Sequence, residues 1–191
     1  SIDLVDGLLG ILKSGGAYVP LDPAYPPDRL AHILDQAAPQ VIVSRSDLQR
    51  ALPTTAARFI RLDQLTSAVT TNPAIAVTAD HLCYLIFTSG TTGTPKGVMA
   101  THHNVARLFT AIGKHMEFRA NDVWTLFHSY AFGFSAWEFF GSLLHGARLV
   151  IVPDEARTEP QKLYTLLRAE KVTVFSQTPS AFRQLLLDDC F

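Results

Sequence analysis

Two stretches of this 191-residue chain carry residue types in spacings that could do chemistry. The first, Leu82–Gly97, reads LCYLIFTSGTTGTPKG. Cys83–Phe87 is a short apolar run with aromatic residues, the pattern of a buried strand. Thr88–Gly97 then holds three glycines (Gly90, Gly93, Gly97), the hydroxyl residues Thr88, Ser89, Thr91, Thr92 and Thr94, then Pro95 and one cation, Lys96. Glycines let a backbone come close to a ligand, so that successive N–H groups and hydroxyls can surround phosphate oxygens. Lysine adds a compact positive charge. Placed directly after a buried strand, this loop reads as a nucleotide-phosphate loop rather than a plain Gly/Thr surface loop.

The letters also say which kind of loop it is not. A Walker A loop needs Gly-x-x-x-x-Gly-Lys-[Ser/Thr]. Counted from Gly90, Pro95 stands where the second glycine belongs, and Gly97 follows Lys96. The dinucleotide turn Gly-x-Gly-x-x-Gly is absent too. The second stretch, His128–Phe140, reads HSYAFGFSAWEFF and sets Phe132, Phe134 and Trp137 around Gly133. Aromatics at such spacing serve either as helix packing or as the wall of an apolar pocket. Gly133–Trp137 misses the hydrolase Gly-x-Ser-x-Gly elbow because Trp137 replaces the second glycine, which speaks against Ser135 as a nucleophile.

TSGTTGTPKG resembles the signature loop of the adenylate-forming superfamily of acyl-CoA synthetases, luciferases and peptide-synthetase adenylation domains. Leu12–Asp22, LKSGGAYVPLD, is similar to a segment of nonribosomal peptide synthetase adenylation domains. HSYAFGFSAWEFF is similar to their substrate-side motif. The resemblance covers essentially the whole chain, in the family's order.

The resemblance implies a reaction in which a carboxylate attacks the α-phosphorus of ATP, with Mg2+ present, to give an acyl-adenylate and pyrophosphate. The acyl group then passes to the phosphopantetheine thiol of a peptidyl carrier protein, among neighbouring synthetase domains. On the family's pattern Thr88, Ser89, Gly90, Thr91, Thr92, Gly93, Thr94 and Lys96 hold the β- and γ-phosphates, with Thr88 and Lys96 assigned to catalysis. Phe132 lies beside the substrate carboxylate, and Phe134 and Trp137 match pocket-lining positions. The residue after Phe132 is usually an aspartate that pairs with the α-ammonium; here it is Gly133. An ammonium buried without a counter-charge is costly. The expected substrate is therefore an unusual carboxylic acid: a β-amino, hydroxy, keto or aryl acid, or an amino acid whose ammonium is held elsewhere. A glycine also leaves room for bulk near the α-carbon. Two other readings stand beside the peptide synthetase: a free-standing acyl- or aryl-CoA ligase, and a non-catalytic nucleotide-binding module.

The elements that must position these residues follow from periodicity. Strands are expected at Ala17–Pro20, Val41–Ser44, Phe59–Leu62, Cys83–Phe87, Val98–Ala100, Val123–Phe127, Ala147–Val152 and Val172–Ser176. Helices are expected from the N-terminus to Gly15-Gly16, then at Asp28–Ala37, after Ser46, and at His103–Lys114, Ala136–Leu144, Pro160–Ala169 and Pro179–Leu187. The alternation predicts an α/β fold with a largely parallel sheet. The resemblance adds that residues 1–191 are an incomplete part of the large N-terminal domain, with flavodoxin-like layers. The polar stretch 66–80 reads as a connecting loop or a subdomain boundary, and the resemblance implies a C-terminal lid lying outside this chain and no activity for this chain alone.

Composition narrows the partners. A formal net charge of −1 argues for neither nucleic acid nor an anionic membrane. No apolar run approaches the roughly 18 residues that a membrane span needs. Cys83 and Cys190 form no CxxC pair, and read as reduced cysteines of a cytoplasmic protein. The histidines, His102, His103, His115, His128 and His145 among them, are not spaced as a metal site.

Overall fold

The computed structural model describes residues 1–66, 69–89 and 95–187. The chain contacts group into two units, Ser1–Ala106 and Arg107–Phe191.

In the first unit, α1 (Ile2–Lys13) carries Gly7 against the following layer. A Cβ on Gly7 would stand 3.3 Å from Leu62 and 3.5 Å from Val43, so the missing side chain lets helix and sheet approach closely. The helix ends before Gly15, whose φ of 78° belongs to the left-handed region that glycine reaches without penalty. Next, α2 (Pro27–Ala37) opens on a proline, whose missing N–H costs nothing in a first turn. It buries Leu30, Ile33 and Leu34, one stripe of the helix. β1 (Val41–Ser44) and β2 (Arg58–Arg61) pair in parallel, Val41 opposite Arg58 and Ser44 opposite Arg61.

The polar stretch 69–80 holds no helix or strand. β3 (Leu82–Thr88) then pairs with β4 (Lys96–Thr101), and this pair is antiparallel. The βα alternation predicts a largely parallel sheet, and this hairpin is the antiparallel exception among the described pairs. The connection from Thr88 to Lys96 is shorter than the dozen or so residues of a parallel crossover, so the two strands can only form a hairpin. α3 (His102–Ile112) follows without a break, capped by reciprocal bonds: Asn104 Oδ1 accepts from the Thr101 N–H, and the Asn104 N–H donates to Thr101 Oγ1.

In the second unit, β5 (Val123–Leu126) and β6 (Arg148–Ile151) pair in parallel across α4 (Ser135–Leu144), a βαβ crossover. Seven residues of α4, from Ser135 to Ser142, are buried, so this is a core helix and not a surface one. Trp124 on β5 lies against Gly141, where an added Cβ would fall 2.4 Å from the indole. Three further helices, α5 (Asp154–Thr158), α6 (Pro160–Ala169) and α7 (Pro179–Leu187), complete the described chain. Val152, Ala156, Leu163 and Leu185 form a buried cluster among them.

The expected helices and strands stand within a residue or two of their places, with three differences. Ala17–Pro20 and Val172–Ser176 contribute single parallel bridges, Tyr18 to Tyr84 and Trp124 to Val174, in place of strands. The helix expected after Ser46 is one turn of 3-10 helix, Gln49–Ala51. Ser46 does not cap it; the Ser46 N–H donates to Asp63 instead.

Candidate active site

The phosphate-loop residues belong to the first unit, and the β3–β4 hairpin positions them. Cys83, Ile86 and Phe87 bury the strand that leads in. Tyr18 lies along its edge, donating its N–H to the Cys83 carbonyl and accepting from the Leu85 N–H. The Tyr18 phenol is pushed well above its usual range by burial, with the neighbouring Cys83 and Tyr84 adding to the effect. Burial likewise pushes the Cys83 thiol up to about 11, so this cysteine is an inert core residue.

At the far end of the hairpin Thr88 pairs directly with Lys96, and both side chains are exposed. Ser89 follows Thr88, also exposed. The strand register therefore sets Thr88 and Lys96 opposite each other at the hairpin mouth, with Ser89 next in the chain. The returning chain is held as well: a His32 ring nitrogen on α2 lies 3.1 Å from the Pro95 carbonyl oxygen, and the His32 ring meets Phe87 edge-on. Gly90, Thr91, Thr92, Gly93 and Thr94 lie outside the described residues.

The substrate-side residues belong to the second unit. Successive turns bring the chain into α4: the Phe132 N–H donates to Ser129 O, Ser135 to Phe132, and Trp137 to Phe134. This turn presents Phe132 and Phe134 outward at 53% and 43% exposure, high values for large aromatics. Gly133 between them faces open space, with nothing within 4 Å of where a Cβ would stand. Trp137 points elsewhere. It stacks on Phe109 at 5.2 Å and 9°, touches Phe118 and Trp124, and donates its indole N–H to Ser176 Oγ. Of the four substrate-side residues, Phe132, Gly133 and Phe134 form one exposed ledge, while Trp137 joins an aromatic cluster. Ser135 is buried at the start of α4.

One residue that the motif reading passed over is Glu138. It is 1% exposed, and its carboxylate accepts from the Phe127 N–H, the His128 N–H and the His128 ring. The signal was a lone carboxylate between Trp137 and Phe139-Phe140, because a charge inside an apolar helix needs partners. No cluster of three metal-ligating side chains occurs among the described residues.

The described residues thus hold a parallel βαβ unit, a strand–loop–strand hairpin at the Gly/Thr-rich loop and an exposed aromatic turn before a buried helix. The family described as "AMP-binding enzyme" matches residues 1–190, and the chain belongs to it. Its relatives include a dimodular nonribosomal peptide synthase of Bacillus subtilis strain 168, 44% identical over 97% of this chain and 8% of that protein. Syringomycin synthase SyrB1 of Pseudomonas syringae pv. syringae is 43% identical over 97% of this chain and 30% of its own length. The crystal structure of the nonribosomal peptide synthetase FmoA3 superposes with a TM-score of 0.89 at 29% identity, covering 98% of this chain and 20% of FmoA3. The same synthetase is known with α-methyl-L-serine-AMP bound and with AMPPNP bound. The chain thus spans a small part of the synthetases it matches.

Proposed function

We propose that this chain is part of the large N-terminal domain of an adenylation domain, and that its parent enzyme activates a carboxylic acid with ATP in nonribosomal peptide synthesis. The carrying observation is the hairpin register that sets Thr88 against Lys96 at the base of TSGTTGTPKG. The Lys96 ammonium offsets the charge on the β- and γ-phosphate oxygens, while Thr88 and Ser89 hydroxyls bond those oxygens. Gly90, Thr91, Thr92, Gly93 and Thr94 complete the cradle by the family pattern.

Once the phosphates are held, the acid carboxylate needs only the right line of approach to the α-phosphorus. Fixed positive charge and donors then stabilise the transition state without reorganising. Thr88 and Ser89 supply hard oxygen donors, the ligand type that suits Mg2+. The ion would neutralise phosphate charge, as it does in other phosphoryl-transfer sites. The acyl group then moves to the phosphopantetheine of a carrier protein, in keeping with the multidomain relatives. A buried free Cys83 fits a reducing, cytoplasmic setting.

The acid itself lies against Phe132, Gly133 and Phe134, while Trp137, a pocket position on the family's pattern, packs from α4 into the aromatic cluster. Gly133 supplies no carboxylate for an α-ammonium, and the space beside it is open. Acids lacking that ammonium, carrying it at the β-position, or bearing an extra α-substituent all suit this ledge. FmoA3, with α-methyl-L-serine-AMP bound, is a relative of this fold that holds an α-substituted amino acid.

ATP–pyrophosphate exchange by the full-length parent tests the reading. The panel pairs each α-amino acid with its des-amino, β-amino, hydroxy, keto and α-methyl counterparts. Exchange that favours any of those counterparts is expected. Exchange favouring the ordinary α-amino acid would overturn the substrate argument alone. Exchange with no acid, together with retained ATP binding, would replace the enzyme by a nucleotide-binding module.

A further inference from the structure

The Glu138–His128 pair has no part in the family-pattern assignments above, and its geometry calls for one. Glu138 is an ionisable group almost wholly withdrawn from water inside α4. A well-packed apolar residue stabilises such a position at least as well as a buried charge pair does. Packing alone therefore does not account for a carboxylate here. What the carboxylate does is specific: Oε2 lies 3.0 Å from the His128 backbone N, and Oε1 lies 3.3 Å from the Phe127 N and 3.1 Å from His128 Nδ1. A carboxylate only accepts, so Nδ1 carries the hydrogen and the ring tautomer at that nitrogen is fixed. Backbone and ring of one residue are thus clamped together.

The clamped ring supports the substrate ledge. Its centroid lies 5.6 Å from that of Phe132 and 5.1 Å from that of Phe134, the two exposed aromatics on either side of Gly133. The ring itself is 10% exposed, held beneath them.

We propose that Glu138 is a positioning residue for recognition of the acid, acting through His128 to set where Phe132 and Phe134 stand. The assignment rests on the adenylation reading. Neither residue is among those the family pattern assigns to the phosphates, which run from Thr88 to Thr94 and include Lys96. The pair should therefore govern the acid and leave ATP alone.

The experiment is acid-dependent pyrophosphate exchange by the full-length parent, with KM measured separately for acid and for ATP. Glu138→Ala is expected to raise the acid KM roughly tenfold to a hundredfold, the cost of a small misplacement of substrate contacts, with ATP KM within about twofold. Glu138→Gln, which keeps an acceptor oxygen, should recover much of that loss. Should Glu138→Ala fail to fold, His128 carries the same test. His128→Phe keeps a ring without the clamped hydrogen, and His128→Asn keeps a donor without the ring. Both should raise acid KM and reorder the acid panel. Acid and ATP KM rising together, or all acids falling by one common factor, would mean a merely structural pair and overturn the assignment. A wild-type parent that exchanges with no acid would instead overturn the adenylation reading, and this assignment with it.

Discussion

On the proposed function, Lys96 and Gly133 are the two residues at which a single replacement should separate ATP handling from recognition of the acid. Lys96 stands exposed at the hairpin mouth, with no packing role to confuse the result. In the parent enzyme Lys96→Ala should slow exchange by about a hundredfold or more, the usual scale for removing a preorganised charge from a transition state. Unchanged exchange at saturating ATP and acid would remove Lys96 from the phosphate site. Gly133 allows the opposite kind of test, a gain. Since a Cβ there meets nothing within 4 Å, Gly133→Asp introduces a carboxylate without a clash. A close charge pair is worth well over 1 kcal/mol where water is excluded, so the ratio of exchange with an α-amino acid to exchange with its des-amino counterpart should rise by at least about tenfold. A ratio that does not move would place the acid's α-carbon away from residue 133.

At the scale of elements, α4 links the core to the ledge. Gly141 is the contact at which the Trp124 indole passes the helix backbone, leaving no space for a methyl group. Gly141→Ala is expected to destabilise the parent domain by about 1–3 kcal/mol, the range for overpacking a core. A lower midpoint in chemical denaturation checks it; an unchanged midpoint would mean that Trp124 turns aside freely. Most of these elements were legible in the sequence because each carries its own period or punctuation. Pro27, Pro160 and Pro179 open α2, α6 and α7, and the apolar stripe of Leu30, Ile33 and Leu34 is the buried one. What local pattern could not show was partner choice. For β4 the short connection from β3 decides an antiparallel partner where the βα alternation points to a parallel one, and nothing in Ala17–Pro20 or Val172–Ser176 says that pairing stops at one bridge. The site divides the same way. The motif letters single out Thr88 and Lys96, which the structure places opposite each other on the hairpin, and Phe132–Phe134, which it places on one exposed turn, whereas Trp137 joins Phe109, Phe118 and Trp124 through contacts between separate elements. Glu138 shows as a functional candidate only once its three donors are seen together.

At the scale of the whole molecule, the interior of β3 makes folding sensitive to alkali. Cys83 and Tyr84 on β3 neighbour Tyr18, which bridges to the strand, and burial raises the pKa of all three. For each, the folded protein holds its proton to a higher pH than the unfolded chain does. Their contribution to stability is then complete below the unfolded pKa and is lost as pH rises through the folded value. For Cys83 the window runs from the ordinary 9.0 to about 11, and the two phenols extend the loss upward from about 10. Tyr18→Phe isolates one share of this effect. It keeps the ring that lies 5.5 Å from Tyr84 and removes the phenolic proton. Melting of the parent and of Tyr18→Phe should differ little at pH 8. Above pH 10 the variant should lose less of its melting temperature than the parent, because one fewer group must ionise on unfolding. Parallel decline of the two curves up to pH 11 would show that Tyr18 ionises as readily folded as unfolded, and that the edge of β3 is open to water.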